Sequence, residues 1–209
     1  MESGLPVHNW LTTPGELAII QQAKQRGRGV LFVTLHLGNW ENGGLLLAEL
    51  GIKLTIITLP EADERLTQMR AASRARWGMA TLLIGQDSFA LVEVLKRLQA
   101  GDALALAIDR PAGRGALPVE LFGHPFAAPA VAAEVARTSG CALVGVTILR
   151  RREGFAVKVF PEFIYDRAAL RSPEARQALT QEIVRAFEPH IREHLDQWYQ
   201  FVPLWPKER

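Results

Sequence analysis

The stretch Val30-Leu31-Phe32-Val33-Thr34-Leu35-His36-Leu37-Gly38-Asn39-Trp40-Glu41 decides how this chain folds. Its first six residues are apolar apart from Thr34 and show no alternation. A strand of that composition is covered on both faces, as in a parallel sheet flanked by helices. The apolar run gives way to a histidine, and Gly38-Asn39 then supplies a turn before the next helix. The same strand and helix alternation extends outward. Upstream, Thr13-Pro14-Gly15-Glu16 has capping-box spacing with proline at the first helical position, which predicts a helix ending at Gly27 or Gly29. Downstream, the pattern predicts helices over 41–50, 62–76 and 88–99, with strands over 52–59, 80–84 and 103–108. Residues 109–129 are rich in glycine and proline and read as a long loop holding a short strand near 119–122. A helix over 129–138 follows, then strands over 141–149 and 155–160 joined as a hairpin. Ser172-Pro173 opens a last long helix, expected to kink or restart at Pro189. The expectation is one α/β domain over residues 1–209, a three-layer structure. Its central sheet is mostly parallel, with antiparallel strands toward one end and helices on both faces.

Composition narrows the function. The chain has 209 residues, 48% of them hydrophobic and 22% charged, with a formal net charge of +2. That hydrophobic share excludes a disordered chain. The mixed signs along the sequence argue against DNA or RNA as a partner. The single cysteine, Cys141, sits in a strand-like run and forms no internal disulfide, which suits a reducing compartment. No apolar run approaches the ~18 residues of a membrane span. The start Met1-Glu2-Ser3-Gly4 lacks a basic segment followed by an apolar one, so export by a signal peptide is not expected.

The chemistry centres on His36, which follows the first buried strand and so lies at the carboxyl edge, where open α/β sheets bind ligands. In a continuous helix, residues five apart point about 140° away from each other. The Gly38-Asn39 turn therefore has to bring Glu41 to His36 if the two are to meet. A carboxylate on one imidazole nitrogen fixes the tautomer and makes the other nitrogen a general base. Amide groups opening the next helix are expected to stabilise an oxyanion. Asp109, after the strand over 103–108, faces the same edge, with a role in acceptor binding or in ordering the site. Arg110 and Arg114 suit phosphate oxygens. Arg150-Arg151-Arg152 reads as a polar turn that can meet anionic headgroups or an acidic carrier. His124, His190 and His194 lack metal-type companions at ligand spacing and read as structural or surface residues. Trp198, Tyr199, Phe201 and Trp205 suit either a bilayer interface or the domain's own core.

His36-Leu37-Gly38-Asn39-Trp40-Glu41, followed by Gly43-Gly44, resembles the His-x4-Asp/Glu block of the lysophospholipid acyltransferase superfamily, in its bacterial lipid A lauroyl/myristoyl acyltransferase branch. Ile108-Asp109-Arg110-Pro111 and Phe122-Gly123-His124-Pro125 are similar to a second block of that branch. Asp196-Gln197-Trp198-Tyr199-Gln200-Phe201 is similar to its terminal signature. The likeness runs in matching order over about 28–205. It implies transfer of a fatty acyl group from an acyl-carrier-protein or coenzyme A thioester to a hydroxyl or amine of a glycolipid or other lipid acceptor. It further implies a His36–Glu41 dyad as general base, with no metal and no cofactor beyond the thioester. Asn39, Asp109, Arg110 and Arg76 are the expected substrate-binding residues. The expected place is peripheral, on the cytoplasmic face of the inner membrane, since no stretch reads as the branch's amino-terminal anchor. Where many lipid A enzymes have Tyr-Arg-Pro this chain reads Thr58-Leu59-Pro60. Arg65, Arg70, Arg74 or Arg76 then has to replace that arginine, and the acceptor need not be lipid A. A catalytically silent lipid-binding module of the same fold and acyl transfer to a small soluble acceptor are the alternatives. A nucleotide-dependent enzyme is disfavoured, because no phosphate-binding glycine loop follows a predicted strand.

Overall fold

In the computed structural model, which describes residues 9–85, 88–112, 115–201 and 203–205, the strand Val30–Thr34 (β2) is fully buried. It lies between β5 (Ala103–Ala107) and β8 (Ala142–Arg151), parallel to both. β3 (Leu54–Thr58) and β4 (Ala80–Leu83) continue the parallel sheet beyond β5. On the other side, β9 (Gly154–Val159) pairs antiparallel with β8, and a short β1 (Trp10–Leu11) runs parallel to β9. The seven strands stand in the order β1-β9-β8-β2-β5-β3-β4. The expected sheet is therefore present, with its antiparallel pair toward one end. β1 is an addition that its two residues gave no pattern to reveal.

Helices cover both faces. One core contains α1 (Pro14–Gln25) and α2 (Gly43–Glu49), whose Ile20, Ala23, Leu46 and Leu47 pack on Phe32, Leu54 and Ala105. The other contains α4 (Ser88–Gln99), α5 (Val131–Ser139) and α6 (Pro173–Glu193), with Val94, Leu98, Val135, Ile183 and Phe187 against Leu31, Val33 and Leu104. α3 (Glu64–Arg76) links β3 to β4. The capping box at α1 is formed: the Glu16 amide donates to Thr13 Oγ1 at 3.2 Å and the Thr13 amide to Glu16 Oε2 at 2.9 Å.

Two expectations change. Residues 109–129 hold a complete hairpin, β6 (Leu117–Leu121) and β7 (His124–Ala128), rather than one short strand. Its turn is made by Phe122 at φ 56° and Gly123 at φ 79°, so an aromatic residue occupies the left-handed region where the sequence signal looks for Asn or Gly. α6 secures this hairpin, because Gln181 exchanges hydrogen bonds with the Glu120 backbone and Glu188 accepts from the Phe122 amide. The second change is that α6 does not restart at Pro189 but runs through it to Glu193. Ile183, Val184, Phe187 and Ile191 are buried on both sides of the proline, and that packing outweighs the missing helical hydrogen bond.

Candidate active site

The register of β2 and β5 builds the site. Thr34 stands opposite Ala107, so His36 and Asp109, each two residues further on, emerge side by side at the carboxyl edge. The Ile108 amide donates to the Thr34 carbonyl at 3.0 Å and carries the pairing toward them. Asp109 is buried and accepts three hydrogen bonds. His36 Nδ1 lies 2.7 Å from Oδ1, while the His36 amide and Trp198 Nε1 each donate to Oδ2 at 2.9 Å. A carboxylate only accepts, so Nδ1 carries the proton and Nε2 keeps its lone pair. Nε2 has no hydrogen-bond partner among the described residues. Trp40 meets the imidazole edge-on at 5.1 Å.

Glu41 does not orient His36, contrary to the sequence expectation. It forms a two-point ion pair with Arg74, Nε to Oε2 at 2.9 Å and Nη2 to Oε1 at 2.5 Å. The physical reason is local geometry. Residues Trp40–Asn42 form a 3-10 turn that leads directly into α2, and Arg74, itself buried, reaches across from α3 to the Glu41 carboxylate. The Gly38 and Asn39 amides are also committed, to the carbonyls of Gln197 at 2.8 Å and Ile148 at 2.6 Å. Those two do not serve as oxyanion donors.

The terminal Gln-Trp block acts as a clamp on this turn. Gln197 accepts from the Arg150 amide at 2.8 Å and donates to the Arg150 carbonyl at 3.1 Å. The Tyr199 amide binds the His36 carbonyl at 2.8 Å. Trp198 is thereby a positioning residue for Asp109, which settles its two possible readings in favour of the domain's own interior.

A cavity of about 600 Å³ opens beside His36. One sheet face forms its wall, through Phe32 and Thr34 of β2, Leu54, Ile56 and Thr58 of β3, Ala105 and Ala107 of β5, and Val146 and Ile148 of β8. Leu46 and Leu47 of α2 and Ile20 of α1 close it from above. Gly43 and Gly44 leave the first turn of α2 without side chains where it borders the cavity. From Phe32 to His36 the strand rises about 13 Å, so the cavity runs deep along the sheet. Its mouth carries Arg70, Arg74 and Arg110 beside Glu41 and Glu61, with Arg70 paired to Glu61 at 2.8 Å. An apolar cavity thus opens beside His36. Trp40 lines it, whereas its neighbour Leu37 is packed in the opposite core.

Of the expected substrate-binding residues, Asp109 is the histidine's partner and Arg110 lines the mouth. Arg76 does not: two residues past Arg74, it sits about 200° around α3 and is exposed. Arg70 and Arg74, one helical turn apart, take the places at the mouth. Asn39 lines a separate, smaller cleft with Gly38, Trp40, Glu41, Arg150 and Tyr199. Arg114 lies outside the described residues. Away from the site, His190 and His194 do have a metal-type companion, because Glu193 brings all three ligand atoms within 4.8 Å of one another. Helical i, i+3, i+4 spacing creates that cluster. Arg151 shares a 3.2 Å contact with His194 Nε2, a cation placed where a metal would compete.

The bacterial lipid A biosynthesis acyltransferase family model matches residues 7–207. The chain belongs to this family. Similar curated proteins include phosphatidylinositol mannoside acyltransferases of Mycolicibacterium smegmatis, 26% identical over 184 residues (88% of this chain, 59% of the relative), and of Mycobacterium tuberculosis, 25% identical over 192 residues (91% and 59%). The chain spans about three fifths of the length of these relatives. Among the described residues of this family member, no helix is long and apolar enough to cross a membrane.

Proposed function

We propose that this chain transfers a fatty acyl group from a thioester, acyl-carrier-protein or coenzyme A, to a hydroxyl of a glycolipid. The observation that carries this reading is the Asp109-held His36 at the mouth of a deep apolar cavity. The acyl chain enters the cavity, where each methylene removed from water contributes about 0.8 kcal/mol. The acceptor hydroxyl attacks the thioester carbonyl as His36 Nε2 takes its proton. The tetrahedral intermediate collapses, the C–S bond breaks, and the departing thiolate recovers the proton from Nε2. The ester forms and the free thiol leaves. Asp109 keeps Nδ1 protonated and steadies the imidazolium between the two proton transfers. This chemistry asks for no cofactor beyond the thioester co-substrate.

The paired arginines and glutamates at the mouth suit a polyhydroxylated or phosphorylated headgroup, because guanidinium and carboxylate groups together satisfy both hydroxyl and phosphate oxygens. A mannosylated phospholipid of the kind named for the mycobacterial relatives fits this chemistry. The reaction belongs at the cytoplasmic face of the inner membrane, with the enzyme peripheral. Incubation of the protein with a radiolabelled acyl thioester and total bacterial lipid tests the reading. Label is expected in one glycolipid band, and His36→Ala is expected to lower transfer about 100- to 10,000-fold. A folded His36→Ala protein with near-normal transfer contradicts it.

A further inference from the structure

The hairpin β6–β7 turns on Phe122-Gly123, with Leu121 opposite His124 and both turn residues at positive φ, 56° and 79°. This two-residue geometry favours Asn-Gly or Gly-Gly, because a Cβ in the left-handed region crowds the following carbonyl. Phe122 is the one non-glycine residue with positive φ among the described residues. A bulky residue persists in such a conformation where its surroundings hold it, and its retention points to a use for the side chain. α6 does the holding. Glu188 Oε1 accepts from the Phe122 amide at 3.0 Å, and Arg192, one helical turn further on, sets its guanidinium over the Phe122 ring at 5.2 Å.

The Phe122 ring also meets Trp198 edge-to-face, with centroids 6.3 Å apart. The Trp198 backbone is fixed independently, by its bridge to Leu37 and by the hydrogen bond from the next amide, that of Tyr199, to the His36 carbonyl. Those contacts leave the direction of the indole to its side-chain neighbours. Its Nε1 donates to Asp109 Oδ2 at 2.9 Å, and its ring system rests on Phe122. Among the described residues no other aromatic ring stands against Trp198. A file of contacts therefore runs from the hairpin turn to the histidine, through Phe122, Trp198, Asp109 and His36. Trp198 supplies one of the three hydrogen bonds on Asp109, and a tilted indole leaves Oδ2 with the His36 amide alone. The carboxylate is then free to turn, and the imidazole that it holds turns with it.

We propose that Phe122 is a positioning residue for the reaction: its ring fixes the Trp198 indole and, through it, the orientation of Asp109 and His36. The inference rests on the acyl-transfer reading for its purpose, while its first measurement reads the Trp198 hydrogen bond with no substrate present. Phe122→Asn removes the ring and installs a residue that the turn favours, so the hairpin is kept. Phe122→Leu keeps apolar bulk without the ring, and cooperative thermal unfolding shows that each variant is folded. In magnetic resonance spectra of protein carrying isotope-labelled tryptophan, Trp198→Phe identifies the Trp198 indole signal. Both Phe122 variants are expected to move that signal and to speed its hydrogen exchange about tenfold or more, whereas Phe122→Tyr, which keeps the ring, restores both. With an acyl thioester, Phe122→Asn and Phe122→Leu are expected to lower kcat about tenfold with the donor KM within a factor of about two, and Phe122→Tyr to rescue kcat. Adding Phe122→Asn to Trp198→Phe is expected to lower kcat no further, because the ring then has no donor to position. An unchanged Trp198 signal in the folded variants overturns the proposal, and so does an unchanged kcat beside a displaced indole. A kcat loss that adds in full to that of Trp198→Phe overturns it as well. Failure of the native protein to transfer acyl groups is a separate result, which counts against the proposed function, and the indole signal decides the Phe122 contact in either case.

Discussion

Asp109 and Glu41 are both carboxylates close to the turn that carries His36, yet their surroundings give them different work. Asp109 is buried and meets three donors. An asparagine there offers a single acceptor oxygen, which cannot satisfy His36 Nδ1, the His36 amide and Trp198 together. Asp109→Asn is therefore expected to lower kcat about 100-fold or more, through a wrong imidazole tautomer, with the donor KM within a factor of about three. Steady-state kinetics with an acyl thioester check this. Glu41 anchors Arg74, and its side chain is 37% exposed while that of Arg74 is 7% exposed. Breaking the pair is expected to cost about 1–2 kcal/mol of folding stability, below the figure for a fully buried pair because water screens Glu41. Urea unfolding of Glu41→Gln measures that cost, with a smaller loss of kcat than Asp109→Asn shows. The opposite ranking of the two variants in kcat would return Glu41 to the role its sequence spacing suggested.

At the scale of elements, the site depends on a glycine. Gly38 has φ 66°, and a Cβ there would stand 2.1 Å from the Ile148 backbone oxygen. Gly38→Ala is expected to destabilise the protein by at least about 2 kcal/mol, since left-handed strain adds to a backbone clash that no rotamer relieves. Thermal unfolding reads the loss, and activity should fall with it because this turn carries Trp40 and closes over His36. Most elements here were legible in sequence: the covered strand over 30–35, the cap at Thr13 and the helix opening at Ser172 each declare themselves through residues a few positions apart. The histidine's partner did not. Glu41 lies five residues from His36 and invites pairing, whereas Asp109 lies 73 residues away and arrives only through the parallel register of β2 and β5. Its place at the same edge was readable, but not the bond. Arg74 was one of four arginines along α3, and only the helix's rotation about its axis selects it over Arg76. Nor does sequence show that α6 holds Pro189, because that depends on packing against both neighbouring layers.

At the scale of the whole molecule, the last helix couples stability to pH. Burial holds His190 below the ordinary imidazole range, and His194, Lys158 and Arg151 push the same way against Glu193. A histidine depressed on folding binds its proton more tightly when unfolded, so its stabilising contribution is present above the unfolded value near ~6.5 and lost as pH falls through the lower folded value. Folding stability is expected to drop between neutral and mildly acidic solution, and His190→Gln to flatten that drop, as chemical unfolding at the two pH values would show. The glycine-bared α2 and the sheet face that it covers leave a deep opening at His36. The most direct measurement of the account is a crystal structure with a long-chain acyl-coenzyme A thioether, which cannot be cleaved. The acyl chain is expected between α2 and the Phe32–Ala105 face of the sheet, with the carbon beside sulfur about 4–5 Å from His36 Nε2, which leaves room for the acceptor hydroxyl between them. A chain bound elsewhere, or a sulfur remote from His36 with the cavity left empty, would contradict it.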